Sequence, residues 1–505
     1  MIKRGLVAVH RWLGVALALN VFVWFASGIG MMYWDFPSVS SSDRLARSPA
    51  LDVAAIHVSL ADAFDTVGFD SADEARVETL DGRPVYRLRN GRTARIVYAD
   101  TREMRRAGSR EQADRIAAQW SGQHIAAATV RGADEIDQWT VQLPVARLRP
   151  VWQYTWPDGE QVYVSQATGE VIQYTTRASR LGAYVGAIPH WLYVTPLRKH
   201  GPLWSRMVIA LAASATLVAA LGLTIGMWTF SPSRRYWHAG MPVRIPYRGW
   251  KRWHAILGLL LGVAAMTWAF SGMLSMDPFP LPGDPPQTGH IEETLRGTIQ
   301  RDTFDALTPA AALASLGNAK VKQLDCVLVG AQPLYVATLE SGDTRIISLT
   351  GVARSSFEVP QIAALVAAAV LPDEVAGATR LDAYDRYYLD RHRGRPLPVV
   401  LVRLGDRGAS RFYIDPKTAR LVGVYHARNW VTRWLYHGLH SLDFPWLYRY
   451  RPLWDVIVGG FMLGGTALCC TSLVLAWQVL ARTLSRRLTP ANQIRRDARE
   501  GRPLQ

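Results

Sequence analysis

The chain has 505 residues, of which 49% are apolar and only 19% are charged. This length suits about two to four structural units. The 19 Trp and 28 Pro residues argue against a disordered chain and against a coiled coil. The three cysteines show no CxxC spacing, which argues against a disulfide framework, a zinc ribbon and covalently attached c-type haem.

Four stretches are free of Asp, Glu, Lys and Arg and are long enough to cross a bilayer core of about 30 Å, which takes about 20 helical residues. They are residues 12–34, 207–230, 255–276 and 456–481. Buried helices of soluble proteins rarely run this far without a charge, so we interpret all four as membrane spans. No small-residue cleavage site follows the first span, which favours an uncleaved helix over a signal peptide.

The formal charge of +16 comes from short segments that flank the spans. Residues 1–11, 231–252 and 482–505 together carry 16 basic and 2 acidic side chains. The long segment 35–202 balances 20 basic against 20 acidic residues, and 277–452 has 20 against 18. By the positive-inside rule the short segments are cytoplasmic and both long segments are periplasmic. Because topology explains the charge, we expect a lipid bilayer and no nucleic acid as partner.

This topology divides the chain into eight parts. They are a first transmembrane helix at 1–34, a periplasmic domain at 35–202, a second helix at 203–230, a basic cytoplasmic linker at 231–252, a third helix at 253–276, a second periplasmic domain at 277–452, a fourth helix at 453–481 and a basic cytoplasmic tail at 482–505.

Both periplasmic segments alternate short amphipathic helices with strands, which predicts α+β domains. The helix candidates are 111–120 and 360–370, and the strand candidates are 85–88, 95–99, 151–156, 161–164, 334–338, 345–349, 399–402 and 411–414. Pro157-Asp158-Gly159 predicts a hairpin turn. We find no Ser-His-Asp set, HExxH motif or glycine-rich phosphate loop in the sequence, so scaffolding or a binding surface is the simplest role for these segments.

The two halves of the chain repeat at an offset of 244 residues. The matched residues of the first and third spans are His10 with His254, Gly14 with Gly258, Trp24 with Trp268, and Ser27-Gly28 with Ser271-Gly272. Each half is an outgoing helix, an outside domain and a returning helix. The sequence therefore predicts a four-helix transmembrane bundle from a parallel internal duplication.

His10 and His254 suggest a cofactor because duplicated residues that face a bundle interior project toward each other. Two neutral imidazoles on opposite sides of a porphyrin are the ligands of a six-coordinate b-type haem. The alternative is a pair of interfacial histidines that bind backbone groups or lipid headgroups.

Further histidines lie close to the outer ends of the second and fourth spans. Alignment through the WLY motifs places His190 opposite Arg433, and places His437 and His440 opposite apolar residues. A second haem held by His190 and by His437 or His440 is one interpretation, and a metal or anion site is the other. For His200 and His392 we expect structural roles.

Several of these motifs together resemble the PepSY-associated transmembrane helix family. They are HRWLG at the first helix, PHWLY before the second, WLYHGLHSLDF before the fourth, and strand–turn tails such as FYIDPKTARLV. The resemblance implies a bacterial inner-membrane protein with PepSY-like periplasmic domains, a link to iron uptake, and similarity to siderophore reductases that hold b-type haem. Carried over by position, it implies that His10, His254, His190, His437 and His440 are the cofactor ligands.

These features lead to a hypothesis of a membrane oxidoreductase with one or two b-type haems. Electrons would pass to a periplasmic acceptor such as ferric siderophore iron. The sequence shows no nicotinamide or flavin motif, so the donor would be a quinol or a separate redox protein. The alternatives are a non-enzymatic, membrane-anchored PepSY module that binds a ligand or peptidase, and a transporter, which charge-free unbroken spans disfavour.

Overall fold

A computed structural model describes residues 1–106, 108–279, 288–370, 374–391, 393–429 and 431–499. The chain divides into two compact units. The helical unit comprises Met1–Phe36, Leu181–Pro280 and Val431–Gln505, and the sheet unit comprises Pro37–Arg180 and Leu281–Trp430. Residues 181–202 and 431–452, which the sequence analysis assigned to the periplasmic domains, thus belong to the helical unit.

The described residues form α-helices that we number in chain order. They are α1 (Ile2–Met31), α2 (Ser41–Arg47), α3 (Leu60–Val67), α4 (Arg110–Ser121), α5 (Leu143–Ala146), α6 (Arg177–Val185), α7 (Ala187–Trp191), α8 (Thr195–Arg198), α9 (Gly201–Thr229), α10 (Gly249–Leu274), α11 (Thr288–Leu295), α12 (Pro309–Ala314), α13 (Val359–Ala369), α14 (Leu439–Ser441), α15 (Pro445–Arg449) and α16 (Arg451–Arg499).

Four of these helices are long and apolar enough to span a membrane, which confirms the prediction of four spans. They are α1, α9, α10 and the Arg451–Ser485 part of α16. Each begins five to ten residues before its apolar stretch, because polar residues such as His10 continue the helix. Helix α1 packs against α9 and α16, and α10 packs against the same two helices. The four helices therefore form a bundle in which α1 and α10 occupy opposite corners.

The strands are likewise numbered in chain order. They are β1 (Ser71–Ala72), β2 (Glu74–Leu80), β3 (Arg83–Asn90), β4 (Thr93–Tyr98), β5 (Thr129–Ala133), β6 (Val151–Thr155), β7 (Gln161–Ser165), β8 (Val171–Thr175), β9 (Tyr236–His238), β10 (Met241–Val243), β11 (Ile299–Gln300), β12 (Val321–Val329), β13 (Gln332–Leu339), β14 (Thr344–Ser348), β15 (Ala353–Arg354), β16 (Val375–Leu381), β17 (Val399–Leu404), β18 (Arg411–Asp415) and β19 (Arg420–Tyr425).

A seven-stranded sheet in the order β15-β14-β13-β12-β2-β3-β4 lies at the centre of the sheet unit. Strands β2 and β12 come from the two separate extramembrane segments and pair antiparallel, with Val77 opposite Leu324. The sequence predicted an α+β domain in each segment but did not predict that one sheet joins them. Two four-stranded antiparallel sheets, β5 to β8 and β16 to β19, accompany it.

Apolar side chains cover both faces of the seven-stranded sheet, as the alternation along its strands requires. One face packs Phe64 of α3 with Tyr86 and Tyr335. The other packs Val336 and Val366 in a cluster that includes residues of α13 and of the β16 to β19 sheet. The predicted helices and strands of these segments are all present, and Gly159 has φ +86° in the predicted turn between β6 and β7.

Part of the basic linker forms a hairpin that the sequence did not predict. Strands β9 and β10 pair antiparallel, with His238 opposite Met241. The two residues between them, Ala239 and Gly240, have φ of +47° and +76°. Such a two-residue connection with positive φ matches the right-handed twist of a hairpin.

Candidate functional site

Two histidines from opposite corners of the bundle meet in its interior. His10 of α1 and His254 of α10 have ring centroids 6.2 Å apart, with the ring planes inclined by 43°. We call these residues the first histidine pair. They are the two residues that the repeat predicted to converge.

Both rings of the first pair are oriented through Nδ1. His10 Nδ1 lies 3.0 Å from the carbonyl oxygen of Val218 on α9. His254 Nδ1 lies 3.1 Å from the hydroxyl of Thr471 and 3.4 Å from that of Ser472, both on α16. When Nδ1–H donates to such acceptors, Nε2 of each ring is left as the nitrogen that can bind a metal.

A second histidine pair forms between two short helices of the same unit. His190 of α7 and His440 of α14 have ring centroids 6.1 Å apart and an interplanar angle of 65°. This choice of partner was left open by the sequence, which offered either His437 or His440.

Residues that match at the 244-residue offset, Trp24 with Trp268 and Ser27 with Ser271, hold the second pair. His190 Nδ1 lies 3.1 Å from the Trp24 carbonyl oxygen and 3.2 Å from the Ser27 hydroxyl. His440 Nδ1 lies 3.2 Å from the Trp268 carbonyl oxygen and 3.1 Å from the Ser271 hydroxyl. Each ring is therefore fixed by one main-chain and one side-chain acceptor, and Nε2 is again available.

Burial keeps the second pair neutral. It lowers the pKa of His190 and that of His440 to about 4, well below the ordinary value of 6.5. A neutral imidazole is the form that binds iron, since protonation would occupy the lone pair on Nε2.

One cavity of about 990 Å³ is lined by both histidine pairs and by residues of all four long helices. This volume is at the upper end of the range of about 300–1,000 Å³ that ligand pockets occupy. Fourteen residues separate His10 from Trp24 on α1, and at about 1.5 Å per residue the two pairs lie about 21 Å apart along the helix. The cavity is therefore long enough to give each pair its own ligand.

The spacing within each pair fits a shared metal. Imidazole nitrogens bind transition metals at about 2 Å, which places the ring centroids of two imidazoles on opposite sides of one metal about 6 Å apart. No group of three or more His, Cys, Asp or Glu side chains suited to a metal ion occurs among the described residues. Two opposed ligands suit a porphyrin iron, because the macrocycle supplies the remaining four nitrogens.

Glycines leave space beside the histidine rings. Gly14 and Gly258 follow His10 and His254 by four residues, so each lies on the same helix face as its histidine, and both line the cavity. A Cβ at Gly14 would meet no atom within 4 Å, and one at Gly258 would meet only Leu468, at 4.0 Å. This open strip on the helix faces that carry His10 and His254 leaves room for a flat group in the cavity.

His437 occupies a different environment in the π-helical segment Val431–Gly438. Its Nδ1 lies 3.5 Å from an Asp443 carboxylate oxygen, and 46% of its side chain is exposed. The structure thus places His437 beside the second pair but outside it. His200 lies at the N-terminus of α9, and His392 lies outside the described residues.

Residues 7–323 match the family model described as the PepSY-associated TM region. The chain belongs to this family of PepSY-associated transmembrane proteins. No curated protein matches the chain. The family match includes His10, His190 and His254 and ends before His440.

In this PepSY-associated chain, sequence reasoning missed the residues that orient the imidazoles. Gly222 of α9 lets His10 approach Val218, because a Cβ at Gly222 would lie 2.8 Å from His10 Cε1. The sequence does not indicate that Thr471 and Ser472 orient His254, because hydroxyl side chains are common in spanning helices. Ser27 and Ser271 did give a sequence signal, because both belong to a Ser-Gly element that occurs twice in the chain. In the structure, Ser27 lies within hydrogen-bond distance of His190, and Ser271 of His440.

Proposed function

We propose that the protein is a b-type haem oxidoreductase of the bacterial inner membrane, with one haem held by His10 and His254 and a second held by His190 and His440. The observation that carries this proposal is the occurrence, in one cavity, of two imidazole pairs with centroid spacings of 6.2 and 6.1 Å. A haem in such a site accepts and releases one electron between its ferric and ferrous states.

The residues of the chain support such a function by positioning and insulation. The acceptors at Nδ1 fix the orientation of each imidazole and raise its basicity as a ligand. Apolar side chains such as Phe25 and Trp268, whose rings lie 5.8 Å apart, line the cavity that the two pairs share. An apolar lining of this kind would favour transfer of an electron without a proton.

The two pairs divide a long distance into shorter steps. One haem is too small to bridge a hydrocarbon core of about 30 Å, whereas two sites about 21 Å apart along the helices bring a redox centre near each face. If the basic segments 1–11, 231–252 and 482–505 are cytoplasmic, electrons enter at the first pair and leave at the second. The donor is then a quinol or a separate redox protein, and the acceptor is periplasmic, with ferric siderophore iron as the substrate.

Absorption spectra of the detergent-purified chain test the cofactor. We expect a Soret band that sharpens on reduction with dithionite, together with the visible bands of six-coordinate haem b. The variant His437→Ala is a matched control, because His437 is close to the second pair but is not part of it, and it should retain the full spectrum. A colourless wild-type protein would instead support a membrane-anchored PepSY module that binds a ligand or peptidase, an alternative that the extensive sheet unit favours.

Vesicles test the direction and the reaction. Proteoliposomes loaded with an electron donor should reduce an external ferric siderophore, detected with a chelator specific for ferrous iron. Substitution of His10 or of His190 by Ala should reduce the rate to that of empty vesicles, whereas His437→Ala should keep it. A haem-loaded protein whose wild-type rate equals the empty-vesicle background would contradict transmembrane electron transfer.

A further inference from the structure

The two ends of the cavity differ in charge. Three cationic side chains line the cavity, those of Arg11, Lys251 and Arg482, and no Asp or Glu is among its described lining residues. Neutral groups such as Tyr193, Tyr436 and Ser441 line the cavity near the second pair.

The cations belong to the end of the bundle that holds the first pair. Arg11 directly follows His10. Lys251 precedes His254 by three residues, so the two share one face of α10, with Lys251 one turn nearer the helix start. Arg482 lies ten residues beyond Ser472 on α16, about 15 Å along the helix from the hydroxyl that approaches His254.

These three cations have no carboxylate partner among the described residues, where no ion pair within 4.0 Å includes them. Arg451, on the same helix as Arg482, is instead paired with Asp455, with its Nε 3.0 Å from a carboxylate oxygen. Three exposed positive side chains without acidic partners at the mouth of a largely apolar cavity attract an anion to that end. Tyr247, Gln478 and Thr483 add polar atoms to the same lining.

We infer that Arg11, Lys251 and Arg482 form a carboxylate-binding site that holds the propionate groups of the haem at the first pair. This inference rests on the proposed function. The porphyrin of haem b carries two propionates, and a macrocycle held by His10 and His254 with its propionate edge toward the helix start of α10 would present them to these cations. Arg and Lys suit such groups because charge-assisted hydrogen bonds to carboxylates are strong.

The site has a consequence for the redox potential of the first haem. Reduction adds one negative charge to the haem, so a nearby cation stabilises the ferrous form and raises the midpoint potential. Loss of the cation must therefore lower that potential. The neutral lining near the second pair provides no such effect, so the second haem should be indifferent to the same substitutions.

Spectroelectrochemical titration of Lys251→Gln and Arg482→Gln tests the inference. We expect one of two midpoint potentials to fall, by about 59 mV for a tenfold change in the one-electron equilibrium, while the other stays constant. The same titration in the His440→Ala background, which retains only the first haem, assigns the shifted potential. Arg252→Gln is the matched control, since Arg252 is the neighbour of Lys251 but does not line the cavity.

Anionic lipid headgroups could bind to the same three cations. Two further measurements distinguish a haem propionate from a lipid headgroup as the bound anion. In haem titrations of the apo-protein, Lys251→Gln should weaken the binding of haem b but leave the binding of haem b dimethyl ester, which lacks the propionate charges, unchanged. If Lys251→Gln affects the binding of both forms equally and the potential shift follows the fraction of anionic lipid in the vesicles, the anion is a lipid and the inference is overturned. Unchanged potentials in both variants with both haems bound would overturn it as well and would leave the proposed function intact. A wild-type chain without haem would overturn both.

Discussion

The two histidine pairs reach nearly the same ring spacing, 6.2 and 6.1 Å, through different supports. In the first pair both histidines are part of spanning helices, and their acceptors differ in kind. A main-chain carbonyl holds His10, whereas side-chain hydroxyls hold His254. The first pair is therefore related by symmetry in sequence but not in its surroundings.

The second pair matches in its surroundings but not in sequence. His190 and His440 occupy positions that do not align in sequence, yet each is held by a Trp carbonyl and a Ser hydroxyl from positions 244 residues apart in the chain. The property that the two pairs share is the distance between their imidazole rings. Since unrelated local frameworks produce the same spacing, we expect both pairs to bind the same kind of ligand.

The largest effect that separates the two pairs should come from Gly258→Leu. The side chain would occupy the open strip beside His254, so the first haem should be lost and the second retained. Haem content of the purified variant, measured against protein, gives the result. Gly5→Leu is the control, because a Cβ at Gly5 would meet no atom within 4 Å and Gly5 does not line the cavity.

Gly258→Leu should remove the first haem without lowering the stability of the apo-protein. In a helix interior, Gly is about 1 kcal/mol less favourable than Ala, and Leu ranks next to Ala, so this substitution into open space should not destabilise the apo-protein. If Gly258→Leu retained both haems, the strip in front of the first pair would not be the position of the macrocycle.

A smaller effect is expected when the hydroxyls at the first pair are removed. In the double variant Thr471→Ala and Ser472→Ala, His254 loses both acceptors at Nδ1. Loss of such an outer hydrogen bond typically weakens metal binding about 10–100-fold, so affinity for the first haem should fall by that factor. Haem titration of the apo-protein measures it, and an unchanged affinity would show that His254 needs no oriented tautomer.

The smallest effect should come from Ser27→Ala or Ser271→Ala at the second pair. The carbonyl oxygen of Trp24 or Trp268 still accepts from Nδ1, so we expect the affinity for the second haem to fall less than about tenfold. The same haem titration applies. A loss as large as that of the Thr471 and Ser472 variant would show that the Trp carbonyl alone does not orient the imidazole.

The sequence predicts those features of the structure that depend on residues close together in the chain. The spans and the histidine pair at 10 and 254 follow from hydropathy and from an undisturbed repeat, both of which are contained in short stretches of chain. The partner of His190 does not follow, because His190 precedes its WLY motif at 191–193, whereas His440 follows the second WLY motif and the π-helical segment Val431–Gly438.

The sheet unit shows the same limit. Its individual strands are predicted from local patterns, but the pairing of β2 with β12 joins segments that lie more than two hundred residues apart. Burial of both faces selects that pairing, and burial is a property of the folded unit. Similarly, the acceptors for the imidazoles are ordinary carbonyls and hydroxyls that only the packing of the helices brings to Nδ1.

The most direct test of the account is the number of haems per chain in four proteins: wild type, His254→Ala, His440→Ala and the double variant. We predict two haems in the wild type, one in each single variant with a different midpoint potential in each, and none in the double variant. Equal haem content in the wild type and in both single variants would contradict the assignment of one haem to each histidine pair.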